Sequence, residues 1–203
     1  MYNNFMIKKW IRDASVYPGV TFTDIENTFI EEGAKIEEGC FIEPLVSIDA
    51  KSTIQKGARL YQGVIVKESV VGEGSNIGQY TLLRNNVILL GKNVIGPHSE
   101  ISNSTFHEGA SAYHRAFVSD ATIGEGTQIG SGIVTANSWH DGNKYETIIG
   151  KNVKIGVNAV FVAPIKIGDE AVIAAGSTIT KNVETKQMAF GRARQVTKEQ
   201  NEK

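Results

Sequence analysis

The chain has 203 residues, a formal net charge of −1 and a single cysteine, Cys40. That length supports one domain with a sizeable core. The balanced charge excludes a global basic field for nucleic acid or an anionic membrane, and one thiol excludes an internal disulfide, as suits a reducing compartment.

The opening stretch, MYNNFMIKKWIRDASVYPG, lacks an apolar signal core and a small-residue cleavage site. No apolar run approaches the roughly 18 residues that span a bilayer. A soluble cytoplasmic protein is expected. Within that stretch NNFMIKKWIRD reads as a short amphipathic helix or arm, so residues 1–20 are set apart from the remainder of the chain.

From Ile30 the apolar residues recur every six positions: Ile36, Ile42, Ile48, Ile54, Leu60, Val66. After a slip of one residue the count resumes at Val71, Ile77, Leu83, Leu89, Ile95 and Ile101. A second slip leads to Phe106, Ala112 and Val118, and a third to Ile123, Ile129 and Thr135. After an interruption come Ile149, Ile155, Phe161, Ile167, Ile173 and Ile179. A helix needs a period of 3.6 and a half-buried strand a period of 2. Six fits a short strand plus a tight turn, with one large apolar side chain pointing inward per unit. Three units make a triangular coil of about 18 residues, and coils stack at ~4.8 Å. The pattern predicts an all-β protein, a parallel β-helix of hexapeptide repeats over residues 21–183. NSWHDGNKYET, residues 137–147, lacks inward apolar positions and carries an Asp-Gly turn signal, so it reads as a loop inserted between coils. Residues 184–203 are polar and break the pattern, as a tail or helix leaving the prism.

The period converts sequence distance into space. Arg84 and Ser102 lie 18 apart with no slip between, so they stack; each follows an inward residue and is expected to face outward. His114 and Ser131 lie 17 apart across one slip and stack too. Arg84, Glu100, Ser102, His114, Ser131 and the loop 137–147 are therefore expected to line one outer region. Each also has a plainer reading. His114 is an exposed imidazole on an outer face, and Arg84, Glu100 and Lys144 are solvated charges. Asn137 caps a turn, and Arg192 and Arg194 are surface charges of the tail. His140 beside Asp141 supplies two ligand types, too few for a metal site.

The stretches GVTFTDIENTFIEEGAKI, VGEGSNIGQYTLLR, DATIGEGTQIGSGIVTAN, DGNKYETIIG, FVAPIKIGDEAVIAAGSTIT and RARQV, in this order, resemble a known family. It is the acetyltransferase half of the bifunctional N-acetylglucosamine-1-phosphate uridylyltransferase/glucosamine-1-phosphate N-acetyltransferase enzymes. The family's nucleotidyltransferase half would precede residue 19, so uridylyl transfer is not expected of this chain. The resemblance implies a left-handed β-helix and a homotrimer with active sites between subunits. It also implies acetyl-CoA as donor and an amino sugar as acceptor, with no metal. It makes His114 the general base and sets the backbone N–H at Ser131 facing the thioester oxygen. Arg84, Glu100, Ser102, Phe117, Gln128, Asn137 and Lys144 fall on substrate-side positions. Ser131, Val157, Ala175 and Arg192 fall on coenzyme-side positions. The family has Lys at Ser102, Tyr at Phe117, Asn at Gln128 and Ser at Val157, and a loop one residue shorter. Acceptor-side phosphate contacts are thus thinned here, which implies a paralogue with a changed acceptor or a non-catalytic trimeric scaffold.

The implied chemistry is attack of an amine on a thioester. An imidazole that titrates near neutrality suits the base, a fixed N–H suits the oxyanion, and Arg84 suits phosphate. A zinc hydrase on the same fold would need three converging His. His98 and His114 lie 16 apart where one slip demands 17, so they do not stack.

Overall fold

The computed structural model describes residues 9–199. They form a parallel β-helix of very short strands wound around a triangular core. Face one carries Phe29–Glu31, Ser47–Ile48, Ile65–Val66, Leu82–Arg84, residues 100–102 and 117–119, Val134–Ala136, Val160–Val162 and Thr178–Ile179. Face two carries Lys35–Ile36, Thr53–Ile54, Val70–Val71, Ile88–Leu89, residues 104–106 and 121–123, Thr147–Ile149 and Ile165–Ile167. Face three is a sheet of 10 strands running from Thr21–Phe22 to Met188–Ala189.

The repeat explains the core. Every inward residue from Ile30 to Ile179 is buried except Ile36, which lies on the terminal strand of face two and is half-buried. Burying one such side chain contributes about 1.5–3 kcal/mol. The residue two places before each inward position is buried as well, and several of the polar ones bond to the next coil. Val87 N–H donates to Ser69 Oγ at 3.2 Å, Asn93 N–H to Ser75 Oγ at 3.1 Å, and Ala116 N–H to Ser99 Oγ at 3.1 Å. Buried hydroxyls therefore help tie coil to coil.

The three slips share one corner, between faces one and two. There a single residue in the left-handed region makes the turn: Glu68 (φ 48°), Asn103 (φ 43°) and Asp120 (φ 50°). Regular turns at this corner use more residues, as in Arg84–Val87 with Asn85 and Asn86 at positive φ. The one-residue turns let Glu100–Phe106 and Phe117–Ile123 run as unbroken strands of 7 residues around the corner. Asn and Asp tolerate this conformation better than most side chains.

The ends differ from expectation. The helix or arm expected over 3–13 lies partly outside the described residues. From residue 9 onward there is a strand, Trp10–Ile11, antiparallel to Phe29–Glu31, and a 3-10 turn at Ala14–Val16. Arg12 holds it down, donating to the Glu26 and Thr28 carbonyls at 2.7 Å each. At the other end the coil continues past residue 183. Met188–Ala189 pairs with Val172–Ile173, and Thr178 N–H donates to the Gly191 carbonyl at 2.9 Å. Val183 is buried over Ile167 on face two, and Ala189 packs against the core as the inward residue of face three. Residues 192–199 carry no regular structure, and no α-helix occurs among the described residues.

Candidate active site

Four of the expected residues fall into one column at the corner between faces three and one. Gly132 N–H donates to the His114 carbonyl, Asn158 N–H to that of Ser131, and Gly176 N–H to that of Val157, each at 2.8 Å. His114, Ser131, Val157 and Ala175 thus occupy the same place in successive coils, as the 17-residue step for His114 and Ser131 requires. Ser131 is half-buried and the other three are exposed. Among the described residues, the backbone N–H groups of Ser131, Val157 and Ala175 make no hydrogen bond, and none engages the His114 imidazole.

Glycine sits just before the column. A Cβ on Gly130 would lie 2.7 Å from Val157 N, and one on Gly156 would lie 2.4 Å from Ala175 N. The close approach of the coils therefore demands glycine here. As a result no side chain stands at Gly130 or Gly156 beside the outer surface of face three. A groove of about 330 Å³ runs there, with Tyr113, Gln128, Gly130, Lys154, Gly156 and Met188 among its lining residues. Gln128, expected with the acceptor contacts, lies in this groove, and its Oε1 accepts from Lys154 Nζ at 3.2 Å. The register Ser111–Gln128–Lys154 puts it on face three, a different face from Arg84.

A second group lies on face one. Arg84 pairs in register with Ser102, as expected, and Glu100 with Phe117. The Arg84 guanidinium donates from Nε (2.9 Å) and Nη2 (2.7 Å) to a single oxygen of Glu100. Ser102 departs from the expected exposure, with only 4% accessible. Its hydroxyl accepts from Asn85 Nδ2 at 3.3 Å, and its chain neighbour Asn103 makes the one-residue turn. Phe117 is half-buried, between Glu100 and Val134 in neighbouring coils, and lies three residues beyond His114.

The third group is the inserted loop at the slip corner. Asn137 is 7% exposed, and its carbonyl accepts from Tyr145 N–H at 2.8 Å, closing the loop at its base. An antiparallel bridge joins Ser138 to Lys144, and Trp139 Nε1 donates to the Ala163 carbonyl at 2.7 Å. Lys144, Tyr145 and Glu146 of the loop region help to line a cavity of about 480 Å³. Asn137 Nδ2 donates to Asp120, a residue that the sequence pattern did not single out. The only signal of it was the slip itself, since SNS and SDA occupy equivalent places at two of the slips.

Arg192 is exposed in the tail beside Phe190 and Arg194. His98 stacks on Tyr80, 5.5 Å between centroids at 11°, one position off the His114 column. Among the described residues, no three His, Cys, Asp or Glu gather as a metal site, and no helix is long and apolar enough to cross a membrane.

Coils of hexads stacked around a triangular core define a hexapeptide-repeat β-helix protein. The family model for the hexapeptide repeat of succinyl-transferase matches residues 146–181, and that for the GMPPB C-terminal domain matches residues 24–94. The chain is 34% identical over 211 residues to the bifunctional protein GlmU of Synechococcus sp. (strain RCC307), covering 96% of the chain and 46% of that protein. GlmU of Bartonella quintana (strain Toulouse) is 38% identical over 181 residues, covering 89% of the chain and 40% of that protein. The chain thus belongs with the GlmU-like hexapeptide-repeat β-helix domains, and it spans about half the length of the curated relatives it matches. Among solved structures, the polySia specific acetyltransferase NeuO aligns over 86% of this chain and 83% of that chain, at 14% identity and a TM-score of 0.49.

Proposed function

We propose that the protein is an acetyltransferase that moves an acetyl group from acetyl-CoA to the amino group of an amino sugar. The observation that carries this reading is the column of His114, Ser131, Val157 and Ala175, whose last three N–H groups make no hydrogen bond, beside the groove over Gly130 and Gly156. Acetyl-CoA lies along that column and Arg192 of the tail reaches its phosphate. The acceptor nitrogen attacks the thioester carbon, the C–S bond breaks, and coenzyme A leaves as the thiol. His114 takes the proton from the attacking amine. The Ser131 N–H donates to the oxyanion, in the manner of preorganised backbone donors. The acceptor rests against face one, contacted by Arg84, Glu100, Phe117 and the loop residues Asn137 and Lys144. A homotrimer closes the site with neighbouring subunits.

The acceptor differs from glucosamine 1-phosphate in charge. Arg84 is already engaged by Glu100, and Ser102 brings no second cation. That pairing favours an acceptor with no phosphate at this position. The test is thiol release from acetyl-CoA against a panel of amino sugars: plain, 1-phosphorylated and nucleotide-linked. The expected result is turnover with at least one acceptor and weak use of glucosamine 1-phosphate. No thiol release with any acceptor would point to the non-catalytic scaffold.

A further inference from the structure

The slip corner holds a group with no part in the proposed proton transfer. The registers Ser102–Ser119 and Ser104–Ala121 set Asp120 directly beside Asn103 of the preceding coil. Three donors converge on its carboxylate. Asn103 Nδ2 donates to Oδ1, while Asn137 Nδ2 and Ser119 Oγ both donate to Oδ2, the latter at 3.1 Å. Asn137 Nδ2 is shared with Ser119 Oγ at 3.3 Å. Asn137 is also where the loop closes, because its carbonyl takes the Tyr145 N–H. Fixing the Asn137 side chain therefore fixes the base of the loop that carries Lys144. Burial alone would push the Asp120 carboxyl up. The hydrogen bonds from Asn103, Asn137 and Ser119, with the charge of Lys144, outweigh it and hold the group below its ordinary value.

We infer that Asp120 is the positioning residue of the loop at 137–146, holding Asn137 at the base of the loop and so setting Lys144 at the cavity that Asn103, Thr122, Tyr145 and Glu146 help to line. The chemistry explains why this place takes a carboxylate. An ionised Asp offers about four acceptor sites and no donor, so it satisfies three N–H and O–H groups at once. An Asn would present an NH₂ to at least one of those donors. The turn itself does not need Asp, because Asn103 makes the same one-residue turn at φ 43°. Asp120→Asn therefore separates the two roles: it preserves the corner and breaks the hold on the loop.

The consequence for catalysis rests on reading Asn137 and Lys144 as acceptor contacts, so one arm of the test does not use activity. Lys144 is the sole Lys or Arg between Arg115 and Lys151. Limited trypsin digestion of the folded full-length chain reads loop opening as a cut after Lys144. Asp120→Asn should raise that rate about tenfold or more, the scale of one lost charge-assisted hydrogen bond. Asn137→Ala, which leaves the corner untouched, should raise it similarly and serves if Asp120→Asn fails to fold. The double variant should be cut little faster than either single one, since both remove the same contact. In the activity arm, Asp120→Asn should raise KM for the acceptor about tenfold and leave KM for acetyl-CoA unchanged. Wild-type cutting rates in Asp120→Asn or in Asn137→Ala, or effects that multiply in the double variant, would overturn the inference. If the wild type transfers no acetyl group, the proposed function fails and the trypsin arm alone decides the role of Asp120.

Discussion

Two corners of the same prism are built alike and decorated differently. Between faces two and three, the second corner position reads Glu38, Lys56, Glu73, Gly91, Glu108, Glu125, Lys151 and Asp169 along the stack. Between faces three and one, the equivalent position reads Pro44, Gln62, Gln79, Pro97, His114, Ser131 and Val157, and Ala175 follows. The first corner is laced by exposed ion pairs such as Lys56–Glu38 and Lys92–Glu108, both at 2.6 Å. Side chains of the stack reach some of its backbone N–H groups, since Lys56 donates to Glu37, Glu73 to Gln55 and Lys151 to Asp169. The second corner has no Lys, Arg, Asp or Glu in its column, and from Ser131 onward no side chain of the stack takes its N–H groups. The repeat alone imposes neither pattern. The difference marks one corner as a surface built for water and the other as one kept bare for a ligand.

The sharpest way to break this contrast is at His114. Its replacement by Ala should lower acetyl transfer by roughly 10²–10⁴-fold, the usual contribution of a general base. The residue is exposed, so the melting temperature should hardly move. Wild-type turnover would make His114 an ordinary surface residue. The next effect is structural. Gly156→Ala places a Cβ 2.4 Å from Ala175 N. Forcing the coils apart there should cost roughly 1–3 kcal/mol of stability in urea denaturation. Smaller again is a change of acceptor preference. Ser102→Lys with Phe117→Tyr restores the groups implied by the family, and should improve kcat/KM for glucosamine 1-phosphate by at least about tenfold. The gain should be smaller for plain glucosamine, and equal gains would move the phosphate site away from face one. The charged corner supplies the smallest effect. Lys92→Ala should leave both turnover and melting temperature unchanged, because exposed ion pairs contribute little.

The repeat was legible because one inward side chain per six residues is a local rule that tertiary structure has no freedom to override. The same arithmetic placed Arg84 over Ser102 and His114 over Ser131. It did not place Ser102 in the shade of Asn85, because burial at a corner depends on which side chains fold over it. Nor did it mark Asp120. A slip announces a shorter turn, but the convergence of Asn103, Ser119 and Asn137 on one carboxylate joins three coils and a loop. Gln128 shows the opposite case. Resemblance grouped it with the acceptor contacts, whereas its step of 17 from Ser111 already assigned it to face three. The prism runs further than the period shows because Val183 follows Ile179 by four residues instead of six, and the next inward residue, Ala189, is small.

Whether the bare corner is a donor site is tested most directly by calorimetric titration of acetyl-CoA into the protein. The expected result is saturable binding with one site per chain. It should persist in His114→Ala, whose loss is in proton transfer, and persist in Lys92→Ala at the charged corner. Absence of heat at millimolar acetyl-CoA would contradict the donor site, and would leave the uncharged column as a surface of a non-catalytic β-helix scaffold.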